Sequence, residues 1–185
     1  MIKLFLTDLD GCLTDGGYYV TSVLTHPKEQ FLRKFNTRDF VGITMLRDAG
    51  IKISVVTGSE QPSQQQFDRW DSGIQVCAGV QDKYEFIRTL FIETTSEGNT
   101  VSRKSFSWEE VAFVGDEIND ARLLEAVGWA ACPADAVPEI IDIVKKHRNG
   151  TVLSRKGGDT CVREFTDLIC KEQNITVSWC NWTKG

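Results

Sequence analysis

Short apolar runs that stop at polar residues constrain this chain more than any other feature. Ile2–Leu6, Ile51–Val56, Ile74–Cys77, Val111–Val114 and Trp129–Cys132 each have the length of a strand. Segments with helical spacing lie between them: one through Val41, Ile43, Met45 and Leu46 up to Gly50, one opened by Lys83, then Ala121–Val127, Pro138–Lys146 and Val162–Glu172. Parallel neighbours can be joined only by long crossovers, and strands that are apolar throughout need cover on both faces. The chain is therefore expected to be α/β, a three-layer parallel sheet with helices on both faces.

The polar residues that end these runs are unusual. Asp8 and Asp10 flank Leu9 where the first run stops, and Gly11 follows. Like charges at the mouth of a low-dielectric core repel unless a cation or a proton compensates them. Acids recur after Val114, in Gly115-Asp116-Glu117-Ile118-Asn119-Asp120, while Thr57 and Gly58 follow the second run. In an open Rossmann-like sheet, ligands collect outside the carboxyl ends of the strands, where the strand order reverses. Asp8, Asp10, Thr57, Lys83, Asp116 and Asp120 are thus expected on one rim.

Phosphoryl transfer suits that set. Mg²⁺ neutralises a carboxylate cluster while keeping sites for phosphate oxygens, with Asp8 and Asp116 as its carboxylates. One carboxylate can attack phosphorus while a second protonates the leaving oxygen and then activates water. Thr57, Gly58 and Lys83 would hold the charged phosphate oxygens.

With 185 residues the chain suits one domain, read as residues 1–173 with a tail at 174–185. Aromatic and β-branched residues on either side of a polar centre predict a β-hairpin insertion at about 16–35. A formal net charge of -5 and the absence of a basic block argue against nucleic acid as a partner. No run is long enough for a signal peptide core or a membrane span, so no membrane partner and a cytoplasmic location are expected. The six cysteines contain no CxxC pair and are read as free thiols.

Asp8-Leu9-Asp10-Gly11, Thr57, Lys83 and Gly115-Asp116 with Asp120, in that order and in those contexts, resemble the four motifs of the haloacid dehalogenase superfamily of phosphatases. The resemblance implies Asp8 as nucleophile and Asp10 as acid/base. It also implies a Mg²⁺ shell of Asp8, the Asp10 carbonyl and Asp116, supported by Asp120. Glu117 departs from the Asp common at its position. Residues 34–43 (Lys34-Phe35-Asn36-Thr37-Arg38-Asp39-Phe40-Val41-Gly42-Ile43) and 157–165, which contain Gly157-Gly158 and Arg163-Glu164-Phe165, resemble a narrower branch. That branch has no cap domain and comprises phosphatases of eight- and nine-carbon sugar acid phosphates and the C-terminal domain of animal CMP-sialate synthetases. It implies a homotetramer supported by the hairpin, with Asn36, Thr37, Arg38, Asp39 and Arg163 near substrate or the subunit interface. The chain departs from the branch in its Gln-rich segment at 61–70, in Thr160-Cys161 where Gly-Ala is usual, and in a longer loop at 93–106.

Two readings from different classes follow. The first is a Mg²⁺-dependent phosphatase for a 2-keto-3-deoxy sugar acid phosphate, either 3-deoxy-D-manno-octulosonate 8-phosphate or a sialic-type 9-phosphate. The second is a non-catalytic oligomerisation module like the synthetase domain. Asp8 and Asp10 kept together with Lys83 favour the first, since a structural module has no physical need for them. A phosphomutase or phosphonatase on the same fold is weaker, because those usually carry a cap for which this chain has no room.

Overall fold

The computed structural model describes residues 1–17, 19–21, 30–60, 67–68, 73–89 and 106–176. Six strands form one parallel sheet: β1 (Leu4–Thr7), β4 (Lys52–Val56), β5 (Ile74–Cys77), β6 (Val111–Val114), β7 (Trp129–Cys132) and β8 (Gly150–Val152). Their spatial order is β5-β4-β1-β6-β7-β8. The chain winds outward from β1 through β4 to β5, then crosses back to β6 on the other side of β1. The order therefore reverses beside the ends of β1 and β6, the two strands that lead into the acids.

The expectation of helices on both faces holds. Phe5 points into a cluster with Ile43 and Leu46 of α1 (Thr37–Asp48) and Phe165 and Ile169 of α5 (Cys161–Glu172). Its neighbours Leu4 and Leu6 face the opposite way, toward Ile87 of α2 (Lys83–Thr89), Leu123 and Leu124 of α3 (Ala121–Ala126), and Ile140 and Val144 of α4 (Pro138–Lys146). Successive strand residues alternate faces, so a run apolar throughout fills both cores.

The hairpin is also present, as β2 (Tyr19–Thr21) paired antiparallel with β3 (Gln30–Leu32), and a bridge between Thr14 and Phe35 ties its base to the loop after β1. β8 was not expected: it is three residues long and has no hydrophobic period to announce it. Of the Gln-rich segment only Phe67 and Asp68 fall within the described residues, and Phe67 is buried against Phe35 and Phe40. The loop at 93–106, apart from Phe106, and the Trp-rich tail beyond residue 176 lie outside them. Cys12, Cys77, Cys132, Cys161 and Cys170 are free thiols, and Cys180 lies outside the described residues.

The α1–α5 contact locks the last helix of the described residues to the first. A Cβ on Gly42 would sit 2.1 Å from the Thr166 hydroxyl, so these helices approach at a distance only glycine permits. Asp39 lies in the same seam, fully buried, and its Oδ1 accepts from the Arg163 backbone N–H at 2.7 Å. It thereby caps the first turn of α5, work that the local cap residue Thr160 does not do with its own side chain. Burial pushes the Asp39 carboxyl up to about 6, against the pull of that N–H. The resemblance implied a substrate or interface position for Asp39; the structure puts it inside the subunit.

Thr160 adopts φ 69°, ψ 20°, the left-handed region that costs a β-branched residue about 1–2 kcal/mol. Glycine removes that strain but loses more backbone entropy on folding, about 0.5–1 kcal/mol. Thr160→Gly is therefore expected to stabilise the protein by about 0.5–1 kcal/mol in urea melts. A destabilised variant would show that Thr160 side-chain packing outweighs the strain.

Candidate active site

β1 carries Asp8 to the rim, and the Asp8 N–H still donates to the Val114 carbonyl of β6 at 2.9 Å. The chain then turns sharply: the Leu9 N–H donates to Asp8 Oδ1 at 2.7 Å, and the Thr14 N–H returns to the Leu9 carbonyl at 2.9 Å. Gly11 makes this turn possible with φ 87°, and a Cβ there would lie 2.0 Å from Asp116 Oδ2. The loop after β1 and the acid after β6 are thus pressed together. From below, the Gly157-Gly158 turn supports the same loop, its Gly158 N–H donating to the Cys12 carbonyl at 2.9 Å.

Lys83, at the start of α2 and fully buried, reaches into the centre. Its Nζ lies 2.9 Å from Asp8 Oδ1 and 2.6 Å from Asp120 Oδ1. The other oxygen of Asp120 accepts from the backbone N–H groups of Asp116 and Glu117 at 3.0 and 3.3 Å. Asp120 therefore fixes both Lys83 and the loop that bears Asp116. The Cys12 thiol faces Asp116 Oδ1 at 3.6 Å, and burial, followed by the charge of Asp116, holds it well above the usual thiol range.

Charge is concentrated here beyond what Lys83 balances. Asp8 is raised to about 7, first by burial and then by the charge of Asp120, with Lys83 pulling the other way. Asp116 is also raised to about 7, first by burial and then by Asp8 and Asp120. For Lys83 burial acts to lower the pKa, but the adjoining Asp8 and Asp120 prevail and raise it. One carboxylate oxygen from each of Asp8, Asp116 and Asp120 lies within 4.8 Å of the others, a hard oxygen set that fits one divalent cation.

A pH dependence follows. A carboxyl whose folded pKa stands above its ordinary 3.8 favours folding below 3.8, and that advantage is lost as pH rises through the folded value of about 7. In EDTA the melting temperature is expected to fall between pH 5 and 8, and Mg²⁺ is expected to restore more of it at pH 8 than at pH 6. An equal Mg²⁺ effect at both pH values would count against this account.

Thr57 is buried just past β4, its hydroxyl accepting from the Ser59 N–H at 3.1 Å. Gly58 has only ordinary contacts around a built Cβ, so no steric demand explains it. Asp10 points to the more open side, and Glu117 turns back to accept from the Ile118 N–H at 2.7 Å, capping its own short turn. Asn36 caps α1 by accepting from the Arg38 N–H at 3.1 Å, with Thr37 and Arg38 exposed beside it. The Arg163 side chain pairs with Asp167 at 2.8 Å. Residues 8, 10, 57, 83, 116 and 120 thus stand at adjoining strand ends and helix starts, while Asp39 and Arg163 belong to the α1–α5 seam.

Sequence reasoning missed Arg33. Its guanidinium grips Asp10 with Nε 2.8 Å from Oδ1 and Nη2 3.1 Å from Oδ2, and Nη2 also donates to the Ser59 hydroxyl at 2.9 Å. Within Phe31-Leu32-Arg33-Lys34-Phe35 it reads as an ordinary hairpin charge, and only the tertiary return of the hairpin brings it to the rim.

Fold and site together define a phosphoryl-transfer hydrolase of the haloacid dehalogenase type: a parallel sheet whose central strand presents the first acid pair, faced by a lysine and a second acid pair. No protein-family model matches the chain. The 3-deoxy-D-manno-octulosonate 8-phosphate phosphatase of Haemophilus influenzae is 31% identical over 172 residues, spanning 93% of this chain and 84% of that protein. N-acylneuraminate cytidylyltransferase B of Danio rerio is 27% identical over 91% of this chain but only 36% of its own length. A crystal structure of the octulosonate phosphatase from Moraxella catarrhalis, in complex with magnesium, phosphate and the octulosonate, superposes with a TM-score of 0.74 at 24% identity, covering 94% of this chain and 88% of that one. The chain belongs to the 3-deoxy-D-manno-octulosonate 8-phosphate phosphatase family of the haloacid dehalogenase superfamily and is a phosphoric monoester hydrolase. Among the described residues no helix is long and apolar enough to cross a membrane.

Proposed function

We propose that this protein hydrolyses the phosphomonoester of an eight- or nine-carbon 2-keto-3-deoxy sugar acid through an aspartyl phosphate on Asp8. The observation that carries the reading is the buried Asp8 carboxylate, aligned by the Leu9 N–H and Lys83 and lying beside Asp116 and Asp120. Asp8 attacks phosphorus while the ester P–O bond breaks, and Asp10 gives a proton to the departing sugar oxygen. Asp10 then takes a proton from water, whose oxygen displaces Asp8 and releases phosphate. Lys83, Thr57 and Gly58 hold the phosphoryl oxygens. Asp8, the Asp10 carbonyl and Asp116, with Asp120 behind them, would hold Mg²⁺, which would supply charge neutralisation for both phosphate and carboxylates.

In this reading residues 1–173 are the catalytic domain, in a cytoplasmic homotetramer supported by the hairpins, with Asn36, Thr37, Arg38 and Arg163 near substrate or the subunit interface. Phosphate release with Mg²⁺ tests it, across the 8-phosphate of 3-deoxy-D-manno-octulosonate and the 9-phosphates of deaminated and N-acetylated neuraminic acids. Preferential turnover of one of them names the substrate. No release from any of them by the folded protein would overturn this reading.

A further inference from the structure

We propose that Arg33 is the positioning residue for Asp10, a role that rests on the phosphatase reading above. Asp10 sits on a loop and its side chain is 26% exposed, so burial alone does not hold it. A proton-transfer group that swings among rotamers is in place only part of the time, and misplacement by about 1 Å can cost about 10²-fold in rate. Arg33 removes that freedom. Its own side chain is only 9% exposed, although it stems from the hairpin, outside the main sheet.

The geometry is that of a fork on a carboxylate, the arrangement that fixes both the plane and the direction of the acceptor. Asp10 Oδ1 accepts from Arg33 Nε at 2.8 Å and from the Thr14 hydroxyl at 3.1 Å, while Oδ2 accepts from Arg33 Nη2 at 3.1 Å. A carboxylate offers about four acceptor directions. Among the described residues three are used, and the one left, on Oδ2, is the direction in which Asp10 can take or give a proton. The guanidinium is anchored in turn by the Ser59 hydroxyl at 2.9 Å, on the loop that follows Thr57. The Thr14–Phe35 bridge pins the hairpin base close to both partners. Arg33 thus links three segments, the turn after β1, the hairpin and the loop after β4, of which the first two are otherwise joined by the Thr14–Phe35 bridge. A lysine reaches with one point charge and cannot hold both oxygens and Ser59 in one plane.

The test compares wild type, Arg33→Met, Arg33→Lys and Ser59→Ala in two assays with Mg²⁺: turnover of the preferred sugar acid phosphate, and stopped-flow release of nitrophenolate from p-nitrophenyl phosphate. Nitrophenolate leaves without a proton, so its departure does not need Asp10, whereas hydrolysis of the aspartyl phosphate does. Arg33→Met is expected to lower kcat on the sugar phosphate about 10²-fold with KM little changed. On p-nitrophenyl phosphate it should give a burst of one nitrophenolate per active site and then a slow steady state. Arg33→Lys should recover only part of the rate, and Ser59→Ala should fall in the same direction by less.

Circular dichroism and melting temperature show whether each variant is folded, and should Arg33→Met fail to fold, the lysine and Ser59 variants carry the same readouts. An equal loss on both substrates without a burst would assign Arg33 a general structural role and overturn the proposal. A raised KM at unchanged kcat would make it a substrate contact, and full activity in Arg33→Met would deny it any role; either outcome also overturns the proposal. An inactive wild type would instead remove the phosphatase reading on which the proposal stands.

Discussion

Asp8→Asn is expected to abolish phosphate release, by about 10⁴-fold or more, while leaving the fold in place. The amide keeps an oxygen where Asp8 Oδ1 stands, able to accept from the Leu9 N–H at 2.7 Å and from Lys83 Nζ at 2.9 Å. Local geometry is thereby retained. What is lost is the nucleophile of the proposed reaction, because an amide oxygen does not displace an alkoxide from phosphorus. The substitution also removes one of three clustered acids, so in EDTA at pH 8 the melting temperature should hold or rise. Loss of activity with retained stability separates a chemical role for Asp8 from a structural one. A variant within about tenfold of wild type would place the attack elsewhere, with Asp116 as the next carboxylate at the site.

The same acids explain how much could be read before the structure was seen. Strands buried on both faces leave a plain mark, an apolar run of fixed length, and the ends of β1, β4, β5 and β6 fell where the runs stopped. The residues just past those ends were therefore identifiable as neighbours across the sheet. β8 left no such mark, because Gly150-Thr151-Val152 is too short to show a period and is a strand only because β7 is beside it. Asp39 misled for a related reason. The resemblance implied a place near substrate or the subunit interface, and nothing in Asn36-Thr37-Arg38-Asp39 marks the partner of its carboxylate, the Arg163 N–H of α5, 124 positions away. Arg33 was hidden in the same way, since an ion pair spanning the hairpin and the first turn has no local signature. Local pattern reveals the elements and the rim they share, whereas contacts between side chains from distant elements become visible only once the elements are packed.

The largest stability effect is expected from Lys83→Met, which removes a fully buried cation touching two buried acids. Methionine matches the length and volume of the lysine stem, so cavity formation contributes little. Removing one partner of a buried charge cluster and leaving the other costs about 3–5 kcal/mol. At pH 8 Lys83→Met should lose stability of that order in EDTA. The pH dependence distinguishes this cause from poor packing. Lys83 is raised above its ordinary 10.5, so its own contribution is present below 10.5 and lost only above it, and between pH 5 and 8 its charge is constant. Variation across that window comes from the carboxylates. Without Lys83, Asp8 moves further above about 7 and is neutral at pH 5, where the penalty should shrink. Mg²⁺ should restore more stability in the variant than in wild type at pH 8, since the cation then neutralises acids that have lost Lys83. A loss that is equal at pH 5 and pH 8 and indifferent to Mg²⁺ would mean that the lysine stem holds α2 against the sheet by packing alone. Turnover should fall as well, by about 10²-fold or more, because in the proposed reaction Lys83 stands as a buried cation beside the phosphoryl group on Asp8.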